Sequence, residues 1–144
     1  MLASLSIRNF VLVDRLDIKF RAGLCVLTGE TGAGKSILLD ALGLAIGARA
    51  DSSYVRGGAD SGSKAAITAT FDLPDDHAAL ARLVENDIDL PEKGEPLILR
   101  RTLTSDGRSR AFVNDQAISV GALRSIGETL IEIEGQFASH GLLD

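Results

Sequence analysis

Tryptophan is absent from this chain, and tyrosine and cysteine occur once each among 144 residues. With aromatics at 4% of the sequence, the core must be built from Leu, Ile, Val and Ala, and base stacking on interleaved aromatic side chains is excluded as a binding mode. The lone Cys25 rules out a disulfide framework within the chain, and its place in the apolar run "LCVL" reads as buried strand filler in a reducing compartment. No apolar run approaches the ~20 residues that span a bilayer. The N-terminus "MLASLSIRNFVLVDRLDIKF" alternates and carries charges, unlike the unbroken apolar stretch of a signal peptide. A net charge of -5 denies the chain a global field that recruits nucleic acid, so any DNA contact must be local. These absences predict a soluble, cytoplasmic protein with no membrane partner.

Hydrophobic residues at 45% and charged residues at 24% are ordinary globular usage. The length suits one domain, with no internal repeat or low-complexity segment. Leu2 to Phe10 and the stretch around Leu16, Ile18 and Phe20 alternate, predicting an antiparallel pair of strands with one wet face. "LCVLTG" is a short continuous apolar run, the pattern of a strand buried on both faces. Ser36 to Ile46 is apolar nearly all round with Asp40 its one charge, predicting a helix covered on most sides and stopped at Gly47. Residues 47–63 form a long Gly, Ser and Asp-rich loop anchored by Tyr54 and Val55.

Further along, "KAAITATFDL" reads as a strand, and "PDDHAALARLVEND" as a helix started by Pro74 with acids in its first turn. Two strands joined at Asp106-Gly107 follow, with another turn at Asn114-Asp115. Ser119 is placed to cap a helix through about Thr129, and "LIEIEG" reads as a closing strand.

One stretch carries explicit chemistry. "GETGAGKS", Gly29 to Ser36, matches G-x-x-x-x-G-K-[ST] at every fixed position, after a buried-strand pattern and before a helix pattern. Gly32 and Gly34 let successive N–H groups turn inward towards phosphate oxygens, where side chains would block the approach. Glu30, Thr31 and Ala33 fill the variable positions of the same turn. Lys35 supplies a point charge for the β- and γ-phosphates of a nucleotide such as ATP, and Ser36 a hydroxyl for Mg²⁺. The helix that follows aims its positive end at the same anion.

Hydrolysis requires more, usually a second strand ending in an Asp that helps hold Mg²⁺ and a group that positions water. Asp72 ends "ITATFDL" and Glu132 and Glu134 share a face of "LIEIEG", but alternation gives these carboxylates a wet face and a plain solvated reading. No complete ATPase is visible.

"LSIRNFVLVDRLDIKF", "GLCVLTGETGAGKSILLDALGLAIGARA", "VRGG", "SDGRSRAFVN" and "LIEIEGQ", in that order, closely resemble the N-terminal head segment of the RecN family. That family comprises bacterial double-strand-break repair ATPases of the structural-maintenance-of-chromosomes (SMC) superfamily. The resemblance covers nearly the whole chain and implies an α/β P-loop NTPase fold, the N-terminal lobe of an ABC/SMC-type ATPase head flanked by antiparallel strands. Residues 1–144 are then a single partial domain. The C-terminal lobe, which brings the signature motif, the Walker B aspartate and the catalytic glutamate, and the coiled coil lie elsewhere in the parent.

The resemblance also implies roles by position. Gln136 matches the glutamine that completes Mg²⁺ coordination. Arg8 and Asn9 match the end of the first strand, near the base and α-phosphate, and Arg56 in "VRGG" matches an arginine loop that contacts nucleotide and DNA, beside the plainer reading of a solvated arginine. Against the family's H-G-Q-H pattern, Gly135 and Gln136 match while Glu134 and Phe137 stand where histidines are expected, so the resemblance implies no role for those two flanking positions. The implied partners are the C-terminal lobe, a second head forming a homodimer, and DNA through the parent protein on the nucleoid. Three rival readings stand beside it, one of them a purely structural partner domain that has lost turnover. A self-sufficient small-molecule kinase lacks an evident lid and second carboxylate strand, and a transporter-type ABC subunit does not share "DALGL" or "DGRSRAFVN".

Lys64, Arg100, Arg101, Arg108 and Arg110 are basic residues in an acidic chain, the last four on the expected hairpin. Two or three of them on one rim would contact backbone phosphates in a salt-dependent way. Charged protection of a strand edge explains them equally well.

Overall fold

Period-two alternation dominates the architecture of this computed structural model, which describes residues 2–11, 13–19, 32–51, 54–56 and 63–133. Six strands form one antiparallel sheet in the order β2-β1-β3-β4-β5-β6. They are β1 (Leu2–Phe10), β2 (Val13–Lys19), β3 (Lys64–Phe71), β4 (Leu97–Thr104), β5 (Ser109–Val113) and β6 (Gln116–Ile118). The helices are α1 (Gly32–Ala45), α2 (Ala78–Glu85) and α3 (Val120–Ile133).

On one face of the sheet Leu5, Ile7, Ile67, Ala69, Leu97, Leu99, Ala111 and Val113 are buried, and they share their cluster with Ala41, Leu44, Leu83, Leu123 and Ile126 of the three helices. The core is aliphatic as its composition requires, with Phe10 and Phe71 as the aromatic exceptions. The other face carries the alternate, polar positions: Ser6 pairs with Asp17 and Thr68, and Thr68 with Arg100.

The expected hairpins form. β4 and β5 pair across a turn in which Gly107 has φ +93°. Asn114 (φ +46°) and Asp115 (φ +70°) make the two-residue turn to β6, a conformation that Asn and Asp tolerate better than other side chains. Asn114 is held there because its Oδ1 accepts from the Ile98 N–H at 2.7 Å. Gly47 does end α1, with φ +107°. Tyr54 and Val55 anchor the following loop as expected: Val55 is bridged to Phe10 and buried, and the Tyr54 ring lies 5.3 Å from that of Phe10.

Two expectations need correction. Pro74 does not start α2. Pro74 accepts from the His77 N–H in a turn of its own, and His77 is the cap, its Nδ1 accepting from the Ala79 N–H at 2.9 Å. "LIEIEG" does not begin a strand, because Leu130 to Ile133 continue α3. Leu123, Ile126 and Leu130 are buried at three- and four-residue spacing, so the helical period runs through a stretch too short for its alternation to be decisive. The Ser119 cap is present, its Oγ accepting from the Ala122 N–H at 3.0 Å. The "LCVLTG" strand, with Cys25, lies outside the described residues.

The His77 cap carries a pH signature. With Nδ1 accepting, the proton sits on Nε2, which is buried with no partner among the described residues. Burial lowers the pKa of this imidazole. The unfolded chain therefore takes up the proton first, near pH 6.5, and the folded state only at lower pH. The contribution is intact above that value and lost as pH falls. The expected result is a urea midpoint that declines below about pH 6.5 in the wild type. His77→Asn, which keeps a capping acceptor, should flatten that part of the profile; an unchanged slope would show that His77 is not its source.

Candidate nucleotide site

Gly32 opens α1, so Gly34, Lys35 and Ser36 occupy its first turns. This is the end of the helix at which four backbone N–H groups lack intrahelical acceptors, and no acidic residue in the first turn competes with an incoming anion. Such a donor set suits an anion. Gly29, Glu30 and Thr31, and Gln136 beyond the end of α3, lie outside the described residues.

The opposite end of α1 is held by two arginines that sequence reasoning did not assign. Arg101 follows Leu97 and Leu99 on the core face of β4 and is buried. Its Nη1 donates to the carbonyl oxygens of Leu44 (3.0 Å) and Ala48 (2.8 Å), and its Nε to Ser109 Oγ (2.6 Å). Arg124 of α3 donates through Nε to the Gly47 carbonyl at 3.2 Å. Burial first, and then the Arg124 charge, lower the Arg101 pKa. Cations at a helix C-terminus satisfy orphan carbonyls and complement the negative end of the dipole. Arg101 points into the core and Arg100 to the opposite face, as neighbours on a strand do, so Arg101 is not among the cations available to a rim. The signal was present as an arginine at an apolar position of an alternating strand.

Arg8, Asn9 and Arg56 come together at the end of β1. The Arg56 N–H donates to the Asn9 carbonyl at 2.8 Å, continuing the bridge between Phe10 and Val55. Asn9 has φ +50° and donates through Nδ2 to the Lys64 carbonyl. Arg8 is engaged by Asp17, with Nη1 to Oδ1 at 2.9 Å and Nη2 to Oδ2 at 3.3 Å. The Arg8 hydrogen bond, and next that of Ser6, lower the Asp17 pKa to about 2. Arg56 lies 3.7 Å from Asp14 on an exposed surface, in accord with its solvated reading. Nearby, partial burial and then the carboxylates of Asp40 in α1 and of Asp51 raise the Tyr54 pKa.

α1 and α3 meet at glycines. A Cβ on Gly127 would lie 2.1 Å from the Ile46 carbonyl oxygen, and one on Gly47 2.5 Å from Arg124 Cα. This contact ties the helix that begins at the phosphate turn to the helix that ends three residues before Gln136.

Comparison with known proteins agrees with this reading. A family described as an AAA domain matches residues 4–137. DNA repair protein RecN of Haemophilus influenzae is 46% identical over 143 residues, and that of Bacillus subtilis 40% over 144. These matches cover 99% and 100% of this chain but 25% and 24% of those proteins, so the chain spans about a quarter of their length. A structure from work on ATP-driven dimerization and DNA-stimulated activation of SMC ATPases superposes with a TM-score of 0.67 at 20% identity, covering 90% of this chain and 79% of the other. The SMC head domain from Thermotoga maritima gives 0.56 at 17% identity, with 86% and 41% covered. No described helix is long and apolar enough to cross a membrane. The chain belongs to the AAA domain family, resembles RecN over practically its whole length, and has the fold of an SMC ATPase head.

Proposed function

We propose that this chain is the ATP-binding part of a RecN-type head, whose parent couples ATP binding and head dimerisation to double-strand-break repair and recombination. The observation that carries the proposal is the phosphate-loop motif Gly29 to Ser36 opening α1 at Gly32. Its backbone N–H groups cradle the phosphates, Lys35 holds the β- and γ-phosphates, and Ser36 with Gln136 holds Mg²⁺. When bound, Mg²⁺ neutralises charge between the β- and γ-phosphoryl oxygens. Arg8, Asn9 and Arg56 gather at the end of β1, where they would flank the base and α-phosphate; Arg8 reaches a phosphate only by giving up Asp17.

Hydrolysis belongs to the assembled head. It draws on a C-terminal lobe and on a second head forming a homodimer, and this chain alone binds without turnover. DNA is engaged by the parent protein, in the cytoplasm on the nucleoid. The RecN relatives support the repair role and the SMC heads the dimerising one.

Calorimetry with ATP and Mg²⁺ on this chain and on Lys35→Ala tests the site. Loss of one charge-assisted contact, about 1.5–3 kcal/mol, predicts roughly 10–100-fold weaker binding. Equal affinities would reject the assignment, and steady ATP turnover by the unassisted chain would reject the half-head.

A further inference from the structure

The loop before β4 and the turn after β5 enclose a groove of about 480 Å³, at a distance in sequence from every residue of the nucleotide motif. Its volume lies within the range of ligand pockets, about 300–1,000 Å³. Leu90, Pro91 and Val113 give it an apolar lining, and Asp89, Glu92, Glu95 and Asp115 add carboxylates. None of these four carboxylates is in an ion pair among the described residues. Residues 84–95, "VENDIDLPEKGE", hold five carboxylates against one lysine, so this stretch alone carries -4 in a chain whose net charge is -5. It also contains the two large hydrophobic side chains that stand exposed among the described residues, Val84 at 60% and Leu90 at 52%.

Hydrogen bonds brace the two walls against each other. Gln116 Oε1 accepts from the Asp89 N–H at 3.1 Å, tying the loop to β6. Asn114 accepts from the Ile98 N–H through Oδ1 and donates to the Pro96 carbonyl through Nδ2, tying the turn after β5 to the start of β4. The Ile88 N–H donates to the Leu83 carbonyl at the end of α2 and its side chain is buried, while Leu90, two residues on, is left in water. A groove fixed in this way loses little conformational entropy when it is filled.

We propose that this groove docks a basic peptide segment of another protein, with an apolar side chain seated against Leu90 and Pro91 and its Lys and Arg residues opposite Asp89, Glu92, Glu95 and Asp115. The occupant follows from charge and apolar area taken together. Unpaired carboxylates attract a cationic partner and repel the phosphates of nucleic acid or of an anionic lipid surface. An apolar centre inside a charged rim is the layout of a protein interface. A small polycation such as spermidine would satisfy the carboxylates and leave Leu90 in water, whereas a peptide covers both. A second copy of this chain in an isologous dimer would set the same carboxylates against themselves, which is repulsive.

Fluorescence anisotropy on this chain without nucleotide tests the proposal separately from the ATP site. The probe is a labelled octapeptide of Lys and Arg interrupted by two Leu, compared with the same peptide carrying Ser in place of both Leu. The leucine peptide should bind about tenfold more tightly, the effect of covering one apolar side chain. Leu90→Ser should abolish that difference. Asp89→Asn combined with Glu92→Gln and Asp115→Asn should weaken the leucine peptide about tenfold, at roughly twofold per exposed pair. Asn at position 115 accepts the φ of +70° as Asp does, so the turn is kept. Asp76→Asn with Glu128→Gln, at exposed positions outside the groove, should change nothing. Equal binding of the two peptides, or undiminished binding by the triple variant, overturns the proposal. Displacement of the leucine peptide by spermidine at equal charge would assign the groove to small polycations, and self-association lost in the triple variant would assign it to a second copy; either result overturns the peptide assignment.

Discussion

A single methyl group at Gly127 is expected to cost the fold about 3 kcal/mol, at the upper end of ordinary overpacking. The added Cβ of Gly127→Ala would lie 2.1 Å from the Ile46 carbonyl oxygen, 2.8 Å from Ile46 Cβ and 2.9 Å from Ile46 C. The first and last of these are backbone atoms at the end of α1, so rotamer change cannot relieve them. Either α3 moves away from α1, giving up the packing of Leu123, Ile126 and Leu130, or the last turn of α1 unwinds. Helix propensity acts in the opposite direction, since alanine is better than glycine by up to about 1 kcal/mol, and is outweighed.

Gly121, in the first turn of the same helix, separates the two effects. Its added Cβ would meet Ser119 Oγ at 3.9 Å and nothing closer, so Gly121→Ala should stabilise by about 0.5–1 kcal/mol. Urea unfolding of both variants measures the contrast. Equal, small changes at the two positions would mean that α1 and α3 are not in this close contact. Because α1 begins at the phosphate turn, Gly127→Ala should also weaken ATP binding where Gly121→Ala does not.

Arg101→Met is expected to destabilise by a similar amount, about 3 kcal/mol. The thioether fills much of the space but donates nothing, so the Ala48 carbonyl and the Ser109 hydroxyl lose the Arg101 donor and the Leu44 carbonyl keeps only the Gly47 N–H. Each charge-assisted bond contributes about 1.5–3 kcal/mol, partly offset because the variant no longer buries a charge. Arg101→Lys retains the charge but not the fork that reaches α1 and Ser109 together, and should recover less than half of the loss. Thermal unfolding distinguishes these outcomes; a neutral Arg101→Met would show that the end of α1 does not depend on this cap.

Several elements were legible because their causes are local. The β1 and β2 alternation, the Asp106-Gly107 and Asn114-Asp115 turns, the Ser119 cap and the Gly47 stop are each decided by a few neighbouring residues, and all appear where expected. The elements misread depended on something further away. Pro74 is a good helix starter in isolation, but α2 is capped three residues later by the His77 side chain, which accepts from the Ala79 N–H. "LIEIEG" alternates like a strand, but burial of Leu123, Ile126 and Leu130 against the sheet carries the helical period through its first residues.

The site divides in the same way. The phosphate turn could be read from eight consecutive residues because its chemistry lies in one loop and one helix end. For Arg101 the sequence shows only that it shares a face with Leu97, Leu99 and Leu103; which carbonyls it caps depends on the helix that the sheet packs against. Composition and local pattern determined an aliphatic α/β chain with a nucleotide motif at the start of a helix. Only the tertiary structure decided that Arg101 and Arg124 hold the far end of that helix, and that Gly47 and Gly127 let α1 touch α3. Those facts join residues up to 81 positions apart, from Ile46 to Gly127, and long-range pairing is what a local pattern cannot encode.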